Sequence, residues 1–117
     1  MANTFKVVTK AGVTSEDVIY TVASSTTTVI LGLVLGNTTT SQTTATVTLS
    51  SDTSARAGAN NEANQDVELV TNAPIPAGSS FEYMSGNKII LQAGHSIKIQ
   101  SDTANSADTC MSIMEIT

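Results

Sequence analysis

Apolar residues recur along this chain in short runs that alternate with polar positions, a pattern typical of β-strands. From Thr43 to Leu49, alanine, valine and leucine alternate with threonine, so one face of this strand is dry and the other carries hydroxyl groups. From Ser96 to Gln100, Ile97 and Ile99 face one way and the polar residues face the other. The whole pattern predicts strands at Phe5–Thr9, Val18–Val22, Thr27–Gly36, Thr43–Leu49, Val67–Ala73, Ser79–Met84, Lys88–Leu91, Ser96–Gln100 and Cys110–Ile116.

Two of these strands are apolar on both faces. The run from Thr28 to Leu35 is almost continuously apolar, and Met111–Ile116 carries apolar side chains at odd and even positions. A strand of this kind is either central in its own sandwich or covered on its second face by another subunit. The sequence leaves both interpretations open.

Turn-forming residues separate the strands. Ser85-Gly86-Asn87 predicts a tight hairpin, because glycine and asparagine adopt positive φ at little cost. The two prolines in Pro74–Gly78 predict a rigid connection, since proline donates no ladder hydrogen bond. Ser50–Gln65 lacks β periodicity and is predicted to be a long exposed loop, or an arm that orders against a neighbour. No repeat or linker divides the chain, so residues 1–117 are predicted to form one antiparallel β-sandwich or jelly-roll domain.

The composition agrees with an all-β chain and narrows the choice of partners. There are 19 threonines and 14 serines, while 13% of the residues are charged and 3% are aromatic. Threonine, valine and isoleucine fit a pleated sheet better than a helix. The net charge is −5 and the basic residues are scattered, which disfavours binding to nucleic acid or to an anionic membrane. So few charges in a small chain indicate that a partner covers part of its surface.

The sequence predicts a chain that is made in a cytoplasm and is soluble when made. Its first ten residues, MANTFKVVTK, have no apolar segment after the lysine, so no secretory signal is predicted. The most apolar run, Thr28–Leu35, is far shorter than the roughly 20 residues that span a bilayer. One cysteine, Cys110, excludes an intrachain disulfide.

The sequence contains few residues that could support catalysis. A nucleophile needs a base beside it and a third group that orients the base. His95, the one histidine, is predicted to lie in a solvated turn, and Cys110 is predicted to be a small buried hydrophobe. Glu68 and Glu82 are predicted on solvated strand faces, without the aromatic platforms that glycoside sites use. The acidic residues considered for a metal are dispersed: Asp52, Glu62, Asp66, Asp102 and Asp108. We therefore predict no enzymatic activity, no cofactor and no metal.

A set of turn and core segments covers most of the chain outside Ser50–Gln65. These segments are VIYTV at Val18–Val22, ILGL at Ile30–Leu33, NTT at Asn37–Thr39, DVELVTNAPIPAGSS at Asp66–Ser80, GNKIIL at Gly86–Leu91, Ala93-Gly94 and the final strand Met111–Ile116. Together they resemble small virion proteins of tailed bacteriophages, especially phages of marine cyanobacteria. The resemblance implies a β-sandwich component of the virion, and it includes no catalytic signature.

From the residues and the resemblance together we predict a non-enzymatic structural protein, located in a phage particle after synthesis in the host cytoplasm. A capsid decoration or another accessory protein in many copies is the first hypothesis. The alternative is a tail, neck or fibre module that attaches to partner proteins or binds a host surface glycan, although the scarcity of aromatic residues disfavours a glycan. The expected partners are copies of itself, with a trimer as the first expectation, and other virion proteins. The candidate assembly contacts are Ala2, Phe5, Leu33, Leu35, Met111, Met114 and Ile116.

Overall fold

The structure is a computed structural model that describes residues 2–51, 65–83, 88–103 and 105–117. The predicted hairpin turn at Ser85-Gly86-Asn87 and most of the Ser50–Gln65 segment lie outside these ranges. No helix in the described ranges is long and apolar enough to cross a membrane.

Nine β-strands form in the described ranges, at the nine places where the alternation predicts them. They are β1 (Asn3–Val13), β2 (Asp17–Thr21), β3 (Thr27–Asn37), β4 (Thr43–Ser50), β5 (Asp66–Ile75), β6 (Ser80–Tyr83), β7 (Ile89–Leu91), β8 (Ser96–Ser101) and β9 (Ala107–Ile116). The largest difference from the prediction is in the length of β1, which pairs antiparallel with β9 from Asn3↔Ile116 to Val13↔Ala107. Pairing with a partner strand thus extends both strands over residues with weak β propensity, such as Gly12 and Asp108.

The strands make two antiparallel sheets that pack face to face. The first has the order β1-β9-β3, with β6 and β7 both on the far edge of β3, and the second has the order β2-β8-β4-β5. β6 pairs with the second half of β3 and β7 pairs with the first half. The predicted fold class, an all-β antiparallel sandwich, is confirmed.

The core lies between the two sheets, and β3 and β9 are central strands of the first sheet. Their inward side chains pack against those of β4 and β8 in one cluster that includes Ile30, Leu33, Leu35, Val47, Ile97, Ile99, Met111 and Ile113. Leu33, Leu35 and Met111 are fully buried there, so they cannot contact another subunit. Their prediction as assembly contacts is wrong, because each occupies the inward phase of the β alternation.

A polar cluster ties the two sheets together at one end of the sandwich. The Tyr20 hydroxyl, on the second sheet, donates to Glu115 Oε2 of the first at 2.6 Å and lies 2.7 Å from Thr28 Oγ1. Lys6 Nζ lies 2.7 Å from Glu115 Oε1. Burial, together with the neighbouring carboxylate, raises the pKa of Tyr20 to about 12. The hydrogen bonds from Lys6 and Tyr20 hold the pKa of Glu115 below its usual value. This cluster fixes the inner side of β1 and β9 and so holds their outward residues in register.

Candidate assembly surface

The outward side of the first sheet, which we call the apolar face, carries large apolar side chains on four neighbouring strands. Phe5 on β1 is directly opposite Met114 on β9, Met114 is opposite Val29 on β3, and Val29 is opposite Ile90 on β7. This row, which we call the ridge, therefore crosses the whole sheet in register. Phe5 is 72% exposed and Ile90 is 64% exposed.

The row beside the ridge, two residues along the strands, is made of smaller side chains at its centre. Val7 is opposite Ser112, and Ser112 is opposite Gly32. A Cβ atom at Gly32 would meet no atom within 4 Å, and the φ of Gly32 is not in the left-handed region. Neither crowding by the described residues nor backbone conformation therefore requires glycine here. We call Ser112 and Gly32 the trough.

The apolar face continues on both sides of these two rows. Ile116 extends it beyond the ridge, and Val34 extends it beyond the trough, next to Cys110. Leu31, the extra residue of a bulge in β3, is half-buried and does not belong to the core. The ridge thus continues into neighbouring apolar residues, while polar residues such as Asn3, Thr9 and Thr27 lie at the borders of the same face.

The two acidic residues of this face lie at one end of it, and the exposed Lys88 lies two residues before Ile90 at the β7 edge. Glu82 is opposite Val34, and Asp108 is opposite Gly36, both on the side away from the ridge. Asp108 Oδ1 accepts a hydrogen bond from the Gly12 N–H at 2.9 Å, so this carboxylate also holds the bulged end of β1. Among the described residues the ridge, the trough and the Ile116 end are uncharged.

The outward side of the second sheet has the opposite character. β4 presents Thr44, Thr46 and Thr48 there, and β8 presents Lys98, whose Nζ lies 3.2 Å from Asp66 Oδ2 on the exposed edge of that sheet. The Ser50 hydroxyl and the Lys98 ammonium hold the pKa of Asp66 below its usual value. The threonines of β4 thus lie on the outward face of the sheet, as predicted.

The threonines on that face are drier than the alternation predicts. Thr46 and Thr48 are buried, although they point away from the core. Thr46 Oγ1 accepts a hydrogen bond from the N–H of Asn72, which lies on the neighbouring strand at 3.0 Å. The Thr46 hydroxyl is therefore paired with a backbone group of the neighbouring strand.

Four of the predicted assembly contacts lie on or beside the apolar face. Phe5 and Met114 are adjacent in the ridge, and Ile116 follows in the next row. Ala2 is exposed at the end of β1, where its N–H and C=O pair with the backbone of Thr117 at 3.2 and 3.0 Å. Their role in assembly stays a prediction, but the structure brings them together.

The predicted contacts do not include four apolar residues of this surface: Val7, Val29, Val34 and Ile90. Val7 stands two residues after Phe5, so the period of a strand already places both on one face. The Ile89-Ile90 pair in a short strand also requires one isoleucine on each face. Ile89 packs against the core and Ile90 points outward. The alternation predicts these outward positions once the inward residues of each strand are identified.

The two residues considered for catalysis are placed differently from the prediction, and they are not together. His95 is 8% exposed, and its Nδ1 accepts a hydrogen bond from the Gln92 N–H at 3.3 Å. Backbone hydrogen bonds to Val22 fold this turn onto the end of β2. The prediction that His95 is a solvated turn residue is therefore wrong. Cys110 is exposed on the apolar face, because it falls on the outward phase of β9. Its prediction as a buried hydrophobe is also wrong.

The polar side chains considered for other chemistry serve the fold. Glu68 and Glu82 are exposed, as predicted, and they lie on different sheets. Asp102 Oδ1 accepts from the Thr44 N–H at 3.0 Å, and this hydrogen bond lowers the pKa of Asp102. Asp52 and Glu62 lie outside the described residues, and within the described part no three His, Cys, Asp or Glu side chains are grouped to hold a metal.

Comparison with known proteins adds a limited result. No family model and no curated protein matches this chain. A solved structure described as "Bacillus endospore appendages form a novel family of disulfide-linked pili" is similar to it, with 16% sequence identity, 97% of this chain and 85% of that chain covered, and a TM-score of 0.48. The functional conclusion therefore depends on the geometry of the chain itself.

Proposed function

We propose that this protein is a non-enzymatic structural subunit that works in many copies, as a capsid decoration or another accessory component of a bacteriophage particle. The observation that carries the proposal is the contrast between the two outward faces of the sandwich. The second sheet presents hydroxyls, an ion pair and one isolated exposed valine, Val18, whereas the first presents an uncharged ridge with two side chains more than half exposed. Contiguous apolar surface on a small protein marks a contact with a partner.

The strand order gives the proposal further support. If β6 and β7 are counted as one interrupted edge strand, the sheets have the orders first-eighth-third-sixth and second-seventh-fourth-fifth. We interpret this arrangement as a jelly roll, a double-sheet fold used by viral capsid and lectin domains. The resemblance of the turn and core segments to virion proteins of tailed phages supports the same location.

The chemistry of the described residues agrees with a mechanical role. The carboxylates of Asp102 and Asp108 accept hydrogen bonds from backbone N–H groups, and that of Glu115 is paired with Lys6. The Asn37 side chain, which begins a glycosylation sequon, is buried and donates to the carbonyls of Ser41 and Ile75 at 2.8 and 2.9 Å. These polar groups stabilise strand ends and connections, and the apolar face is left for contact with other molecules.

Two measurements test the proposal. Sedimentation velocity of the purified chain over a range of concentrations should show a reversible or stable homo-oligomer, and a chain that stays monomeric at about 100 µM would contradict self-assembly. Antibodies raised against the purified chain should label intact phage particles grown from the source of the sequence. Failure to label any particle would contradict the location in a virion.

A further inference from the structure

We infer that the apolar face binds the apolar face of a second copy of this chain, around a two-fold axis that places the ridge of each copy over the trough of the other. This inference rests on the proposed function and names the contact that it uses. Such an arrangement builds assemblies from pairs of copies, whereas the sequence-based expectation was a trimer.

The shape of the face is complementary to itself. The ridge and the trough are parallel rows, about 7 Å apart along the strands. A two-fold axis that lies in the interface, parallel to the rows and midway between them, exchanges their positions. Met114 of one copy then lies over Ser112 of the other, and Val29 lies over Gly32. Glycine inside a strand often marks the close approach of another molecule, and neither crowding by the described residues nor backbone conformation accounts for Gly32.

The charge distribution is compatible with a second copy as the occupant. Two chains with a net charge of −5 repel each other, and this repulsion is smallest when they meet through surfaces that carry no charge. The described part of the ridge and trough is such a surface. The same axis carries Asp108 and Glu82 to opposite rims of the pair, because both lie on the far side of the trough from the ridge. Like charges are therefore kept apart in the proposed contact.

The size of the face is adequate for a specific contact. Four strands about 4.8 Å apart are roughly 19 Å wide, and the four rows that overlap under this axis, from Ile116 to Cys110, span eight residues, roughly 27 Å at about 3.4 Å each. The product is about 500 Å² before the relief of the side chains is counted, of the same order as the roughly 800 Å² that each partner buries in a standard interface. Two sheets that pack in this way lie about 10 Å apart, as the two sheets of a sandwich do.

Charged substitutions on the two outward faces test the inference. Phe5→Lys and Ile90→Lys place an ammonium group at either end of the ridge, while Val18→Lys places one at a position 55% exposed on the opposite face. All three sites are exposed in the single chain, so each variant should fold like wild type, as circular dichroism and urea denaturation will check. The first two should raise the dissociation constant at least about tenfold, because the ammonium would be buried without a partner. Val18→Lys should change it less than about twofold.

The thiol of Cys110 gives a second readout in the unmodified protein. Cys110 is exposed in the single chain and lies on the apolar face, where the second copy's Ile116 row would cover it. Maleimide labelling should therefore slow as wild-type concentration rises and should stay fast in Ile90→Lys. If oligomers form but neither ridge variant weakens them, or if Val18→Lys alone does, the inferred contact is wrong and the proposed function stands. If wild type never associates, both are wrong.

Discussion

Replacing Gly32 by valine should strengthen the single chain and weaken its assembly. The new side chain would stand in the trough on the central strand β3, where a Cβ meets no atom within 4 Å. It adds β propensity on a scale that spans about 1 kcal/mol, and it removes the conformational freedom that glycine gives the unfolded chain, worth about 0.4–1 kcal/mol. We expect the free energy of unfolding to rise by about 1 kcal/mol, which corresponds to roughly 3–6 °C in Tm for a chain of this length.

The effect on assembly should have the opposite sign. The valine would occupy the space that Val29 of the second copy fills, and excess volume in a packed contact costs about 1–3 kcal/mol. The dissociation constant should therefore rise about fivefold or more. Urea denaturation below the association range measures the first effect, and sedimentation velocity measures the second.

Gly36 provides the matched control for this experiment. It also lies on the outward side of β3, its φ is not in the left-handed region, and its nearest neighbour would be the Asp108 carbonyl oxygen at 3.9 Å. The proposed axis places it beyond the end of the partner's β9. Gly36→Val should therefore stabilise the chain to a similar degree and leave association unchanged. If Gly32→Val lowers the free energy of unfolding of the monomer, the trough has no room for a side chain and the reasoning is refuted. A stabilised monomer with unchanged association would refute the close approach.

Three further outcomes follow from the structure. Leu35→Ala should lower the free energy of unfolding by about 2–5 kcal/mol in urea, because its side chain is fully buried and leaves a cavity. In wild type, the free energy of unfolding should fall as the pH rises from about 10 towards 12, because the pKa of Tyr20 is near 10 in the unfolded chain and about 12 in the folded chain. Tyr20→Phe should lack this part of the pH profile. Its free energy of unfolding near pH 7 should be lower than that of wild type by about 1–2 kcal/mol. Ile116→Asp should weaken association in sedimentation more than it lowers the urea midpoint, and the reverse order would contradict its place on the apolar face.

The positions of the strands could be predicted from the sequence because period-two alternation is a local property. The alternation alone shows which residues face the core in Thr43–Leu49 and Ser96–Gln100, because one face of each strand is polar. Both assignments are confirmed in β4 and β8. Strand ends were less predictable, because pairing with β9 carries β1 through Gly12 to Val13. Local propensity has no information about that partner strand.

The phase of the two-faced strands could not be predicted from the same signal. In β3 and β9 both faces are apolar, so alternation does not tell which residues enter the core. The inward set is fixed by pairing across the sheet and by the bulge at Leu31, which shifts the register between Ile30 and Gly32. Leu33 was therefore assigned to a partner although it belongs to the core. For the same reason, Cys110 is predicted to lie in the core although it lies on the outward face of the sheet.

The most direct test of the central claim is electron cryomicroscopy of the assembled wild-type chain. The expected map shows pairs of sandwiches whose β1-β9-β3 sheets face each other about 10 Å apart, with Met114 of one copy over Ser112 of the other. The hydroxyl-bearing β2-β8-β4-β5 sheets should face away from this contact. A map in which copies meet through those sheets, while Phe5 and Ile90 remain in water, would contradict the claim.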